Sequence, residues 1–550
     1  MNNPLIFDCL AMYGPRPHKT LEERWSLKHL LEDLDHYGIA GALVRHEQAL
    51  VYDSMTANRR LVREIAPYRQ RLWPCWVTAP HHLGEFPAPA ELLKEMDAAG
   101  VKAIHLYPNL HGYPANRDFL QPLAEALNPR QTVVCVDYSE MAYSYDAAMA
   151  LSRIFKDCPV ILTRARWGHF RSVVGIMDAC PNVHLEFSLF QANRVVEWMR
   201  ARYGIERLLL GTGLPVHSGG AARGFVDWSL LPDNETALFA GGNLKRLLGD
   251  GPRSSAPLPG KDDPIMLAAR SGQPLREAVL DAHCHVLDEG VHSVGSSYLL
   301  FQGDITHMLE LTRHCGIGLT AMMSWSGTAS LDAASGNELI AKVVQAAPQE
   351  TIGLSSADPT HQSASEIKAL CEKYHLDMGF RGLKPYFPRN SIPYHDALYN
   401  PYWEFGNQYG LYALLHTDET AAALNGIQEL CKRFPQITFL IAHSGGSWSY
   451  AKKVAELGRK CPAVFAELTL TPVLNGVIEY LVENLGADRV LFGTDAPMRD
   501  PRPQLAWVVN TRLPVETKRK VLGGNFARVL LKSHLPLHAL PPIVARAAAC

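Results

Sequence analysis

The last half of the chain carries five residues whose side chains suit a divalent cation, His283 and His285, two apart, then His416, His443 and Asp495, with Lys384 between them. Neutral imidazole and carboxylate suit Zn²⁺ first, with Mn²⁺ or Fe²⁺ behind it. Held together, they offer activated water for attack on a carbonyl near neutral pH. An isolated His-x-His is more often structural than ligating, and an Asp after Gly-Thr often caps a turn. Chemistry therefore requires an architecture that brings these groups to one place.

Eight short apolar runs supply one. Ala278-Val-Leu-Asp, Gly318-Leu-Thr-Ala-Met-Met, Thr351-Ile-Gly-Leu-Ser, Arg381-Gly-Leu-Lys, Tyr412-Ala-Leu-Leu-His, Thr438-Phe-Leu-Ile-Ala-His, Val464-Phe-Ala-Glu-Leu and Val490-Leu-Phe-Gly-Thr-Asp read as strands, with amphipathic stretches such as 305–315 and 421–434 between them. Eight strand–helix units in about 250 residues predict a TIM-like (β/α)8 barrel of the α/β class. A doubly wound open sheet competes, but no Gly-rich phosphate loop follows the first run. Chemistry in a barrel collects at the C-terminal ends of its strands. His283 and His285 follow the first strand, Lys384 ends the fourth, His416 the fifth, His443 the sixth and Asp495 the eighth. Residues two apart on a strand face one side, so the His pair can aim at one ion. The loop 386–396 brings Tyr386, Arg389 and His395 to the mouth, where Arg389 is either a clamp for a substrate carboxylate or a solvated loop charge. Trp325, Asp358, Trp448 and Arg499 also fall near strand ends; Tyr386, Arg389 and Trp325 are the expected substrate contacts.

At 550 residues and 47% hydrophobic side chains, the chain is too long for one core. A net charge of −2 and a pI near 6.9 give no basic field for nucleic acid or anionic lipid. No stretch approaches the ~20 apolar residues that cross a bilayer. Eleven cysteines without C-x-x-C spacing, and a start through Leu5-Ile6-Phe7 without a charged leader, lead us to expect reduced thiols, no signal peptide and a cytoplasmic protein. The expected partner is a small-molecule substrate, with no nucleic acid and no membrane.

The chain also repeats itself. Leu208-Leu-Leu-Gly-Thr-Gly-Leu-Pro215 returns as Val490-Leu-Phe-Gly-Thr-Asp-Ala-Pro497, and Gly241-Gly-Asn-Leu-Lys-Arg-Leu-Leu248 as Gly523-Gly-Asn-Phe-Ala-Arg-Val-Leu530, both offset by 282. Earlier the offset shrinks to 273 for Phe7-Asp-Cys against Leu280-Asp-Ala and 278 for Gly38-Ile-Ala against Gly316-Ile-Gly, the drift that loop-length differences produce in a duplicated domain. The expected organisation is two tandem barrels: 1–248, a Gly/Pro/Ser-rich linker 249–274, the ligand-bearing barrel 275–531, and a Pro/Ala-rich tail 532–550 that is extended or disordered.

Asp281-Ala-His-Cys-His285, Gly382-Leu-Lys384, Leu415-His416-Thr, Ala442-His443-Ser-Gly and Gly493-Thr-Asp495-Ala-Pro resemble the amidohydrolase superfamily, in particular its amidohydrolase-related (type 2) branch of metal-dependent hydrolases. The match runs in order through nearly all of the second unit. It implies a metal on His283, His285 and Asp495, joined by His416 in single-metal members. In two-metal members Lys384 is carboxylated and bridges, while His416 and His443 bind the second ion. One or two ions are thus both open. The implied chemistry is hydrolysis of an amide, lactone or ester of a small molecule, with Asp495 as general base and acid and His443 polarising substrate and water. The branch includes non-oxidative decarboxylases, so a lyase of a carboxylated small molecule is the alternative. A non-catalytic binding or scaffold protein is the further one; scaffolding alone gives no reason to keep six ligand-competent residues.

Carried through the repeat, His283 and His285 fall on Leu10 and Met12, Lys384 on His105, His416 on Asp137, His443 on Arg166 and Asp495 on Gly213. The first unit is expected to be a degenerate barrel without these ligands. Its expected role is to pair with the second barrel, as barrels of this branch commonly do in homo-oligomers. The rival role is anion binding by Arg45, His46, His105, Arg164 and Arg166.

Overall fold

The computed structural model describes residues 4–17, 20–249, 262–290, 298–385, 392–470, 472–536 and 538–549. Its contacts divide at Asp262–Asp263 into two compact units. Each unit holds one eight-stranded parallel sheet with the strands in chain order. The first comprises β1 (Ile6–Tyr13), β2 (Ile39–His46), β3 (Leu72–Thr78), β4 (Ala103–Leu106), β5 (Val133–Asp137), β6 (Val160–Thr163), β7 (Val183–Glu186) and β8 (Leu208–Leu209). The second comprises β9 (Val279–Val286), β10 (Ile317–Ser324), β11 (Thr351–Ser355), β12 (Gly382–Leu383), β13 (Tyr412–Leu415), β14 (Thr438–Ile441), β15 (Val464–Glu467) and β16 (Val490–Leu491).

Parallel strands covered on both faces must be apolar nearly throughout, which is why these runs stand out in the sequence. Both sheets close. Cys9 N donates to Leu210 O at 3.0 Å and Met12 N to Leu214 O at 2.9 Å, while Ala282 N donates to Phe492 O at 3.1 Å and His285 N to Ala496 O at 2.6 Å. The fold is two tandem TIM-like barrels with helices between strands.

Inside the second barrel, Leu280, Ala282, Leu319, Ala321, Leu354, Leu414, Leu440 and Leu491 form the packed floor beneath the mouth. Phe526, Val529 and Leu530, from the helix Asn525–Leu531, belong to the same cluster. So do Val544 and Ala547, from the helix Pro542–Ala548. The tail is therefore neither extended nor disordered over that helix, because its apolar face has a floor to cover. Gly318 leaves the room: a Cβ there would stand 2.2 Å from Ile543 Cδ1. Within the stretch read as linker, the helix Pro264–Arg270 buries Ile265, Met266 and Ala269 and is capped by Asp263, which accepts from Ile265 N at 2.9 Å and Met266 N at 3.0 Å. Among the described residues, no helix is long and apolar enough to cross a membrane.

Candidate active site

The His pair owes its direction to a bulge. β9 pairs with β10 through Asp281 with Thr320 and Cys284 with Met322, so β9 carries one extra residue in that interval. Leu280 and Ala282 face the barrel core. Without the bulge, alternation would point His283 and His285 away from it; with it, both turn inward at the C-terminal end of the strand. Asp281 fixes the local geometry by accepting from His283 N at 3.0 Å, Thr494 N at 3.0 Å and Thr494 Oγ1 at 2.6 Å. Asp495 N in turn donates to His283 O at 2.7 Å.

The donor atoms that result stand at coordination spacing. His283 Nε2 is 3.4 Å and His285 Nε2 is 3.3 Å from Asp495 Oδ1. With bonds of about 2.0–2.2 Å, the edge of a tetrahedral zinc site is about 3.4 Å. Among the described residues, His283, His285 and Asp495 form one buried donor group within 4.8 Å, and His283, His443 and Glu467 form another. These residues fit a divalent ion.

Hydrogen bonds fix the tautomers. His283 Nδ1 lies 2.9 Å from Glu467 Oε2, so its proton sits there and Nε2 is left as a lone pair toward Asp495. His443 Nδ1 faces the carbonyl of Thr469 at 2.7 Å, and a carbonyl only accepts. Burial lowers His443 to about 4, despite the opposing charges of Asp495 and Glu467, so the ring is neutral at pH 7 and its Nε2 is an acceptor. Its partner at 3.0 Å, His416 Nδ1, must donate, which leaves His416 Nε2 as a lone pair. His416 itself stands outside both donor groups and joins the site through His443.

Charge completes the arrangement. Burial alone would raise Asp495, but the Arg499 guanidinium bonded to Oδ2, with His283 and His285, holds it well below the ordinary carboxylate range. Both Asp495 and His443 adopt left-handed backbone, with φ of 53° and 63°. Burial pulls Lys384 down to about 8 against the nearby charges of Asp495 and Glu467, so part of it is free amine near neutral pH. Trp325 is buried and meets the His285 ring edge-on, centroids 5.2 Å apart. Tyr386 and Arg389 lie outside the described residues.

Sequence reading missed Glu467 and Asp281 as supporting groups, and it named Arg499 without its role. Glu467 was visible as a lone carboxylate ending an apolar strand. Its position explains Gly493 in the Gly-Thr-Asp motif. A Cβ there would lie 2.2 Å from Glu467 Oε1 and 2.9 Å from His283 Cβ.

The first barrel keeps this scaffold and has lost the counterparts of the His283, His285 and Asp495 donors, which are Leu10, Met12 and Gly213. Asp8 accepts from Leu10 N at 2.8 Å and from Thr212 N at 2.9 Å and Oγ1 at 2.5 Å, as Asp281 does in the second. Glu186 replaces Glu467, accepting from Ser188 Oγ at 2.9 Å and from Arg164 N at 3.0 Å. Since Glu467 accepts from His443 N at 3.3 Å, the counterpart of His443 is Arg164, at φ 53°, and not Arg166 as sequence counting gave. The offset of 279 that joins Lys384 to His105 and His416 to Asp137 also joins His443 to Arg164. The Arg45 and Arg164 guanidinium groups reach Met12 Sδ, the counterpart of His285, at 3.3 and 3.6 Å. Fixed cations thus stand where the second barrel gathers donors.

With this geometry in hand, comparison with known proteins is direct. A family model described as Amidohydrolase matches residues 26–249 and 316–531, and the chain belongs to that family. It is an enzyme of a metal-dependent class, duplicated in tandem with a degenerate first copy. No curated protein matches the chain. Among solved structures, 5-carboxyvanillate decarboxylase from Sphingomonas paucimobilis is 15% identical, with 46% of this chain and 98% of that one covered at a TM-score of 0.38. A dihydroxybenzoic acid decarboxylase from Polaromonas sp. JS666 with bound manganese is 16% identical, covering 46% and 97% at 0.38. A 4-oxalomesaconate hydratase from Rhodopseudomonas palustris is 22% identical, covering 42% and 81% at 0.34.

Proposed function

We propose that the second barrel hydrolyses the amide, lactone or ester carbonyl of a small molecule at a divalent ion, zinc first and manganese or iron after it, held by His283, His285, Asp495 and His416. The observation that carries this reading is the spacing of Asp495 Oδ1 from both imidazole Nε2 atoms, 3.4 and 3.3 Å. An ion held there would lower the pKa of its water to about 7 and polarise a carbonyl oxygen. Asp495 then orients the attacking water, takes its proton and passes it to the leaving group. His443 Nε2 accepts from His416 Nδ1 and so sets the His416 ring with its Nε2 lone pair toward the ion; His443 polarises substrate and water only once that bond opens. Lys384 stays an amine in a one-ion site; its free-base fraction is the form that carboxylation would use in a two-ion site. Trp325 walls the His285 side against solvent.

One observation favours a second reading. Arg499 holds Asp495 ionised and so weakens it as a base. Decarboxylation makes no such demand, because it needs only a held carboxylate and an acid that protonates carbon, a part protonated His443 could play.

Turnover of a panel of lactones, esters, amides and carboxylated compounds in ¹⁸O-water decides between them. Hydrolysis puts label into the product acid; the second reading releases carbon dioxide and delivers a solvent proton to carbon. Metal analysis of the wild-type chain and His283→Ala runs alongside, and no metal in either protein would overturn both.

A further inference from the structure

The first barrel has lost the donors that correspond to His283, His285, His443 and Asp495, yet its interior holds a different set. Cys75 on β3, His105 on β4 and Cys135 on β5 sit on three successive strands, 4%, 1% and 1% exposed. Their sulfur, nitrogen and sulfur atoms all lie within 4.8 Å of one another. His105 pairs directly with Cys135 across the β4–β5 ladder, and Cys75 pairs with Ala103, two residues before His105. Trp73, Cys75, Ala103, Val133 and Cys135 belong to one core cluster, so the strand alternation turns both thiols inward.

We propose that the first barrel binds a soft metal ion of the zinc class through Cys75 Sγ, Cys135 Sγ and one imidazole nitrogen of His105. Two thiolates and an imidazole select zinc over the hard ions that carboxylate sites take. With Zn–S bonds of about 2.3 Å the sulfur–sulfur edge of a tetrahedral site is about 3.8 Å, so the group closes on an ion by side-chain adjustment alone. The support for the imidazole is present too. Asp137 Oδ1 stands 3.2 Å from His105 Nε2 and is itself held by the Thr163 hydroxyl at 2.5 Å, the carboxylate–imidazole relation that orients ligating histidines. The two thiols already share their protons unequally. Burial pushes the Cys75 thiol up, but hydrogen bonds from Cys135 and His105 and the charge of Arg45 outweigh it and bring the thiol to about 6. Arg45 is balanced in turn by Glu47, 3.9 Å away, and by Asp137. Neither cysteine is in a disulfide. Three protein donors leave a fourth position for water or a small anion.

The site is independent of the second barrel's donors, and the test isolates it. Cobalt(II) is added to the full-length His283→Ala/His285→Ala chain, which lacks the other site's paired imidazoles. The expected result is a near-ultraviolet sulfur-to-cobalt charge-transfer band that saturates at about one cobalt per chain and vanishes in the same chain carrying Cys75→Ser or Cys135→Ser. Because either serine could disturb the core, X-ray absorption on the unmutated zinc-loaded protein is the second measurement. A sulfur shell at about 2.3 Å is expected, which the nitrogen and oxygen donors of the second barrel cannot supply. Absence of the band together with purely nitrogen and oxygen scattering overturns the proposal, as does a Cys75–Cys135 disulfide in the protein as isolated.

Discussion

Glu467 Oε2 accepts a hydrogen bond from His283 Nδ1 at 2.9 Å, from a strand two places round the closed barrel and 184 residues away in sequence. The bond fixes which imidazole nitrogen is left to bind, and it orients the ring. Replacing Glu467 by Gln keeps the shape but offers an acceptor without charge, or a donor that forces the wrong tautomer. Metal affinity is expected to fall about 10–100-fold. Competition with a chelator, followed by elemental analysis, reads the change; an unchanged affinity removes Glu467 from the site.

Gly493→Ala tests the same contact from its other side. The added methyl meets Glu467 Oε1 and the Thr469 hydroxyl, at 2.2 and 2.6 Å. Overpacking of this kind costs about 1–3 kcal/mol. Thermal unfolding should show that loss, and retained metal should drop with it, since the displaced carboxylate is the one that holds His283.

Arg499→Leu separates charge from coordination. Burial pushes Asp495 up, and Arg499 is the largest influence pulling it down. A carboxylate held below its ordinary range stays ionised, and able to bind metal, to low pH. Without the guanidinium that range contracts, so the pH at which half the metal is released should rise, with little change above pH 7. A metal-retention profile against pH checks this.

Glu186 gives the first barrel a pH dependence of the opposite sign. Burial raises it from 4.5 to about 7 against the hydrogen bonds it accepts from Arg164 and Ser188. A folded pKa above the unfolded one contributes stability that is full below pH 4.5 and is lost as pH rises toward 7. The loss is roughly 3 kcal/mol across that window. Glu186→Gln should flatten the dependence of unfolding on pH there, as denaturant melts at pH 5 and pH 7 would show.

The sequence displayed the barrels well, because eight apolar runs are a pattern along the chain, and His283, His285 and Asp495, which the fold brings together, stood out at the ends of those runs. It displayed the second layer poorly. Glu467 ends an apolar strand like any other, and only the closed barrel sets it behind His283. Cys75 and Cys135 are 60 residues apart, with no spacing to link them, until β4 is placed between their strands. Counting through the repeat placed five of the six counterparts and slipped at Arg166, because the short sixth strand offers no landmark and the backbone hydrogen bond to the strand-end carboxylate is what marks Arg164. The Pro- and Ala-rich tail read as disordered because composition does not reveal that a barrel floor awaits Val544 and Ala547.

The scaffold retained in the first barrel bears on how far it stands from its sibling in mutational terms. Asp8, Thr212 and Glu186 still hold the backbone as their counterparts do, and Gly213 sits at φ 71°, close to the 53° of Asp495. The divergence of the two copies was written in side chains while the frame that seats them stayed put. A donor set of the same kind would need Leu10→His, Met12→His and Gly213→Asp, with Arg45 and Arg164 neutralised and His217, which a Cβ at 213 would approach to 2.6 Å, made smaller. One polypeptide would then carry two comparable donor sets, each free to be tuned without the other.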